Sequence, residues 1–289
     1  MKAKEYIINK QIQWAMNNGI SLISSKKNRG RAAYTKELDN NLFHPLDPEI
    51  LNSFIIGDGN EVKGDNGNPS KMQAVHSSSA LGVNIFQYWQ KVNKVPEIAA
   101  ACGFCRKGSL VSEKILFEYK CPIDLGFQFP PNIDVVISNS NNSQYKYFAV
   151  ECKFSEAYGS RNQKGLKSDY LELREIWKDI PKLLKYSKSI SPDDKFNKYL
   201  EPAQLIKHIL GLKQKAHGKN KFRLMYLWYD VLGEEGAKHR EEIEKFKNVT
   251  DSDNIKFHAM SYQELIVKLA KEYRKDHDKY INYITERYL

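Results

Sequence analysis

Inside the apolar run Phe148-Ala149-Val150-Glu151-Cys152-Lys153-Phe154, an acid and a base stand two residues apart. Burying a charge is costly, so charged side chains are depleted from strands of this kind. A strand repeats every two residues, which puts Glu151 and Lys153 on one face and Cys152 on the other. Upstream, Ile133-Asp134-Val135-Val136-Ile137 reads as a second strand. The segment between them, Ser138-Asn139-Ser140-Asn141-Asn142-Ser143-Gln144, has turn composition. A hairpin centred on Asn142-Ser143 sets position 134 opposite position 151, with Cβ atoms about 4.5–5.5 Å apart. Two carboxylates that close repel unless a cation lies between them. Oxygen donors of this kind suit Mg²⁺, which takes one or two carboxylates and fills its shell with water and substrate phosphate.

An Asp opening one strand, followed by Glu-x-Lys in the next, resembles the PD-(D/E)xK nuclease superfamily. Asp134 matches its first acid, Glu151 its second and Lys153 its lysine. The proline of the family pattern directly precedes the Asp, whereas this chain reads Pro130-Pro131-Asn132-Ile133-Asp134. The resemblance implies Mg²⁺-dependent hydrolysis of DNA, with Mn²⁺ as a substitute ion. Asp134 and Glu151 would hold the ion, with the backbone carbonyl of Cys152 as a further ligand. Lys153 would position the attacking water or stabilise charge developing on the phosphate oxygens. The alternative, a buried ion-pair cluster, would leave net negative charge uncompensated.

Other candidates surround this core motif. Glu118, in Leu116-Phe117-Glu118-Tyr119, is an acid between aromatics in the preceding strand. It reads as a further catalytic acid or as an edge residue paired with Lys114 or Lys120. Glu113, at that strand's start, is a weaker contender. Some branches of the superfamily carry Gln-x-x-x-Tyr on the helix after the motif strand. Here the segment is Gln204-Leu205-Ile206-Lys207-His208, so Gln204 and His208 share a helix face and read either as substrate contacts or as surface polarity. The run Lys26-Lys27-Asn28-Arg29-Gly30-Arg31 reads as a basic loop that could lie along phosphates, with Lys26, Lys27, Arg29 and Arg31 as contacts, or as a solvated loop. Cys102-Gly103-Phe104-Cys105 lacks two further ligands for zinc, so its thiols read as free. His76 stands beside serines but has neither a nucleophile elbow nor an acid partner.

Composition narrows the classes. A net charge of +10 over 289 residues fits a polyanionic partner such as DNA. Residues 1–36 carry eight Lys and Arg against Glu5 alone. No apolar run approaches the ~20 residues of a membrane span, and the start of the sequence has no signal-peptide stretch. Four cysteines make no disulfide framework, which fits a reducing cytoplasm. The absence of a phosphate-binding Gly-x-x-x-x-Gly-Lys segment speaks against a nucleotide cofactor. The turn-rich stretch from Gly57 to Pro69 lacks the glycine and the acid that a calcium loop needs at its sixth and twelfth places.

The elements that must position the motif follow the same logic. Apolar periodicity predicts helices over 4–18 and 80–89, the second preceded by capping serines. Strands follow at 115–121 and in the hairpin at 132–154. A polar, basic loop from Gly159 to Lys167 leads to a helix near 169–180 and another near 202–216, which Pro202 opens. Strands come next at 222–231 and 257–260. The capping box Ser261-Tyr262-Gln263-Glu264 then launches one long C-terminal helix. This order is the αβββαβ core of the restriction-endonuclease-like fold, an α/β class with a central mixed sheet flanked by helices. On this resemblance, residues 76–289 would form the nuclease core and 1–75 an N-terminal helical elaboration. The serine-capped helix with Asn84 resembles an uncharacterised bacterial branch of the superfamily. The expected activity is a restriction-type endonuclease, and a two-fold homodimer would suit cutting both strands of a palindrome. The alternatives are a structure-specific repair or recombination nuclease and a nucleic-acid-binding protein that keeps the fold without turnover.

Overall fold

The structure, a computed structural model, describes residues 1–26, 31–57, 59–65, 67–124, 126–127, 130–159 and 162–289. The N-terminal elements are α1 (Ala3–Asn17), β1 (Leu22–Ser24), β2 (Ala32–Thr35), α2 (Pro48–Ile56), α3 (Ser78–Lys91) and α4 (Val95–Ala101). Then come β3 (Ser112–Lys120), β4 (Asn132–Asn139), β5 (Tyr147–Lys153) and the short β6 (Gln163–Lys164). Three small helices, α5 (Ser168–Glu172), α6 (Arg174–Trp177) and α7 (Pro181–Ser189), precede β7 (Asp193–Asp194) and α8 (Pro202–Ala216). The chain closes with β8 (Phe222–Trp228), α9 (Glu234–Ser252), β9 (Phe257–Ser261), α10 (Tyr262–Tyr273) and α11 (Asp278–Tyr288).

The central sheet has the order β3-β4-β5-β8-β9. Its first three strands run antiparallel, while β5, β8 and β9 run parallel. Strands covered on both faces must be apolar on both faces. That is why Leu224 to Trp228 of β8 form an unbroken buried run. Helix α3 packs on β3, β4 and β5, and α8 packs on β5 and β8. The two helices lie on opposite faces: a side chain at Gly82 of α3 would touch the Cys152 sulfur, whereas α8 meets Glu151. Ser77 caps α3 by accepting the Ala80 N–H at 3.2 Å, as the serine run predicts. The N-terminal elements join the main core through Ala3, Ile7, Leu42, Ile50 and Phe54. Arg287 of α11, 1% exposed, fastens them. It donates to Gln11 Oε1 at 3.1 Å and the Asn41 carbonyl at 2.8 Å, and lies 4.2 Å from the Trp14 ring centroid. Among the described residues no helix is long and apolar enough to cross a membrane.

The α/β class and the αβββαβ order agree with the sequence reading, and several elements do not. The N-terminal region is not purely helical, because β1 and β2 pair antiparallel. The helix expected over 169–180 is broken into short pieces by local geometry at Leu173 and Ile180. The single C-terminal helix is two, separated at residues 274–277. Helix α9, 19 residues long, has no counterpart in the sequence reading.

Candidate active site

The hairpin forms in the register that its turn predicts. Val135 pairs with Val150 and Ile137 with Phe148, so the next step along sets Asp134 across from Glu151. Asp134 Oδ2 accepts the Cys152 N–H at 2.7 Å, which fastens the acid to the neighbouring strand. Glu151 is 1% exposed. The Lys153 ammonium lies 2.7 Å from Glu151 Oε1, on the face the strand period assigns to both. On the other side of β4, the pairs Phe117↔Val135 and Tyr119↔Ile133 flank Glu118. Glu118, Asp134 and Glu151 therefore form a row across three strands. Glu118 has φ +50°, a left-handed conformation that a residue with a Cβ rarely adopts and that costs about 1–3 kcal/mol. Its carboxylate accepts from Asn132 Nδ2 at 3.4 Å. Of the two lysines considered as its ion-pair partner, Lys114 bonds Glu49 instead, and Glu113 is exposed.

Helix α8 completes the site. Gln204 Oε1 accepts from the Lys153 ammonium at 2.6 Å, and His208 Nε2 lies 2.7 Å from Glu151 Oε2. Surface polarity, the commoner explanation for these two residues, is thereby corrected: both turn inward, one helical turn apart. Position 208 lies within the apolar stripe of Leu205, Ile209 and Leu212, and a histidine inside such a stripe was the available signal. The start of α8 is held in turn by Glu242 of α9. That buried carboxylate accepts the N–H groups of Lys198, Tyr199 and Leu200 at 2.8–2.9 Å.

The charges settle unequally. Burial alone would raise the Glu151 pKa, but the Lys153 ammonium and His208 outweigh it and hold the carboxyl at about 2. Burial would lower Lys153, yet Glu151 and Asp134 raise it. Asp134 is pushed well up, first by burial and then by the Glu151 charge. Burial also lifts Glu118 to about 7, with Glu61 and Glu151 adding to it. Cys152 points to the opposite face, and burial raises its thiol. Among the described residues no three His, Cys, Asp or Glu side chains form a ready-made metal shell. The donor set still fits a small hard cation that relies on water and phosphate for most of its shell. Glu151 stays ionised, whereas at Asp134 burial and the Glu151 charge outweigh what Lys153 and the Cys152 N–H do to lower it.

Lys153 opens onto a cleft of about 280 Å³ lined with Glu156, Gln163, Lys164, Tyr199 and Glu201. A larger cavity of about 670 Å³, between α1 and the end of β8, contains none of the row acids. The basic loop is not brought to the acids by any bond of its described residues. The Lys26 N–H donates to Asn68 Oδ1 at 3.0 Å and the Arg31 guanidinium bonds Asn9. Lys27 and Arg29 lie outside the described residues. All four cysteines are free. His76 Nδ1 lies 3.0 Å from Ser155 Oγ, and burial lowers its pKa to about 4.

The Glu118 environment has a measurable consequence. A carboxyl whose folded pKa is raised contributes most below its unfolded value, and that contribution is lost as pH rises through the folded value. In metal-free buffer, ionising Glu118 between about pH 4.5 and pH 7 costs the fold on the order of 3 kcal/mol. Glu118→Gln is therefore expected to melt above the wild type at pH 8 and alongside it at pH 4.5. Parallel melting curves for the two proteins across that range would refute the assignment.

The model of a family described as Restriction Endonuclease associating with ARP matches residues 12–289. No curated protein and no solved structure matches the chain.

Proposed function

The chain belongs to that family of restriction endonucleases, and from this premise we propose that it is a PD-(D/E)xK enzyme hydrolysing DNA phosphodiester bonds with Mg²⁺, which Mn²⁺ can replace. The observation that carries the reading is Glu151: buried, kept ionised, paired with Lys153 and set across from Asp134. A chain built only for stability gains little from two acids and a lysine in its core. Asp134 and Glu151 would hold the ion, with the Cys152 carbonyl as a further ligand. When bound, it supplies charge neutralisation for the scissile phosphate and lowers the pKa of a water ligand. Lys153, steadied by Gln204, places its ammonium where negative charge grows on the phosphate oxygens. Glu118 adds a third carboxylate to the row. An intact acid–acid–lysine set favours turnover over mere binding, and membership of a restriction family favours an endonuclease over a repair enzyme. The test is incubation with supercoiled plasmid and with single-stranded DNA, each with Mg²⁺, Mn²⁺ or EDTA. Plasmid opening only in the presence of metal is expected. Cleavage in EDTA, or no cleavage of any substrate with either metal, overturns the proposal.

Duplex binding should depend strongly on salt, because the chain carries +10. Each neutralised phosphate contributes about −0.9 to the slope of log K against log salt. Replacing Lys26, Lys27, Arg29 and Arg31 with Ala is expected to flatten that slope by up to about 3–4, read by fluorescence anisotropy from 50 to 300 mM salt. An unchanged slope would mean that the DNA track runs elsewhere.

A further inference from the structure

Lys153 has two duties in the proposed reaction. It neutralises Glu151 at 2.7 Å, and its ammonium must also serve the phosphate. Glu151 is almost fully buried, and a buried carboxylate deprived of its counter-charge is strongly disfavoured. The chain supplies a second donor on the other oxygen. His208 Nε2 lies 2.7 Å from Glu151 Oε2, and the ring is as buried as the acid it touches.

The ring has no other polar contact: among the described residues His208 Nδ1 is buried without a hydrogen-bond partner. A carboxylate only accepts, so Nε2 is the donor in this bond. Packing alone would place an aliphatic side chain in the stripe of Leu205, Ile209 and Leu212 and orphan nothing. Gln204, one turn earlier, steadies Lys153 at 2.6 Å, so a single helix touches both members of the motif. Resting on the nuclease reading, we infer that His208 is a positioning residue. It donates to Glu151 Oε2 and holds that carboxylate in place while the Lys153 ammonium also serves the phosphate.

The test compares His208→Leu, His208→Gln and Asp134→Asn in the full chain. Leucine fills the stripe and donates nothing, whereas glutamine keeps an N–H donor. In His208→Leu, kcat is expected to fall about 10–100-fold with KM for DNA unchanged, and Mn²⁺ affinity by calorimetry to weaken by a similar factor. His208→Gln should recover most of both. In the wild type, the His208 Nε2 proton resonance should persist when Mg²⁺ is added, a readout that does not require any variant to fold. A folded His208→Leu protein with wild-type kcat and Mn²⁺ affinity overturns the inference. So do equal losses in the Leu and Gln variants, which mark packing, and so does disappearance of the Nε2 proton signal with Mg²⁺. If Asp134→Asn is inactive while His208→Leu is fully active, only this inference falls. If Asp134→Asn cleaves at the wild-type rate, the nuclease reading of the site falls and this inference falls with it.

Discussion

Lys153→Ala is expected to lose cleavage by about 10²–10³-fold while binding duplex DNA as the wild type does. The lysine is 13% exposed at its side chain and lies between Glu151 at 2.7 Å and Gln204 at 2.6 Å. A charge held this firmly needs no reorganisation as the phosphate develops negative charge, and such preorganised groups have the largest effects on rate. Salt-dependent affinity, by contrast, comes from many surface cations, so one buried lysine should contribute little to it. The fold should survive, because His208 still donates to Glu151. The loss of one partner from a buried pair still lowers the melting temperature in metal-free buffer, and metal should restore the stability without restoring the rate. Lys153→Arg should rescue poorly, since a planar guanidinium cannot replace a point charge in a slot fitted to it. The measurements are single-turnover cleavage, melting temperature with and without Mg²⁺, and duplex affinity. A Lys153→Ala protein that cuts at the wild-type rate removes the lysine from the mechanism. One that fails to fold with metal present makes the trio an ion-pair cluster.

How far the sequence speaks for itself differs between the sheet and its surroundings. The hairpin was legible because a strand has period two and the polar turn fixes its centre, so one count of residues places Asp134 against Glu151. The strand face of Lys153 followed from the same period. Glu118 was harder: its place in the row depends on the pairing of β3 with β4, where residues 121–131 give no register signal. The inward turn of Gln204 and His208 is only partly legible: polar residues on a helix usually face water, and although His208 falls within an apolar stripe, the tertiary position of α8 decides. Helix α9 was missed for a related reason. Its buried face includes His239, Glu242 and Thr250, with Ile243 and Phe246 as its large apolar members, so hydrophobic periodicity is weak. That polar face has its own partners, since His239 Nε2 meets the Tyr226 hydroxyl at 3.0 Å and Glu242 takes three backbone N–H groups. Pro48 reads as a breaker in isolation, yet it opens α2 at the position where a missing N–H is harmless. The break between α10 and α11 falls at Arg274-Lys275-Asp276-His277, with neither glycine nor proline to mark it. Local signals thus gave the strands that carry the acids, while the polar contacts that hold those acids emerge only when helices are packed over them.

Asp134→Asn should change sign with metal. In the wild type, burial and the neighbouring Glu151 charge raise the Asp134 pKa well above its ordinary value. A group raised in the folded state stabilises below its unfolded pKa, and its contribution is lost as pH rises through the folded value. At pH 8 in EDTA the aspartate is therefore a burden, whether it stays protonated against the solvent or ionises beside Glu151. Asparagine avoids that burden and keeps an oxygen to accept the Cys152 N–H, the bond that Asp134 makes at 2.7 Å. The variant should melt above the wild type there, and the gap should close below about pH 4, near the unfolded aspartate value. Saturating Mn²⁺ should reverse the order. A ligand at one hundred times its Kd adds about 2.7 kcal/mol to the protein that binds it, and the neutral amide supplies much less of the charge that holds a divalent ion. The wild type should rise past the variant, and calorimetric titration should show Mn²⁺ binding lost or much weakened in Asp134→Asn. Four melting curves at pH 8, two proteins with and without metal, decide the matter. If the variant gains as much from Mn²⁺ as the wild type does, Asp134 holds no ion. If it melts below the wild type in EDTA, Lys153 and the Cys152 N–H give the aspartate more than burial and Glu151 cost it, and the raised pKa is refuted.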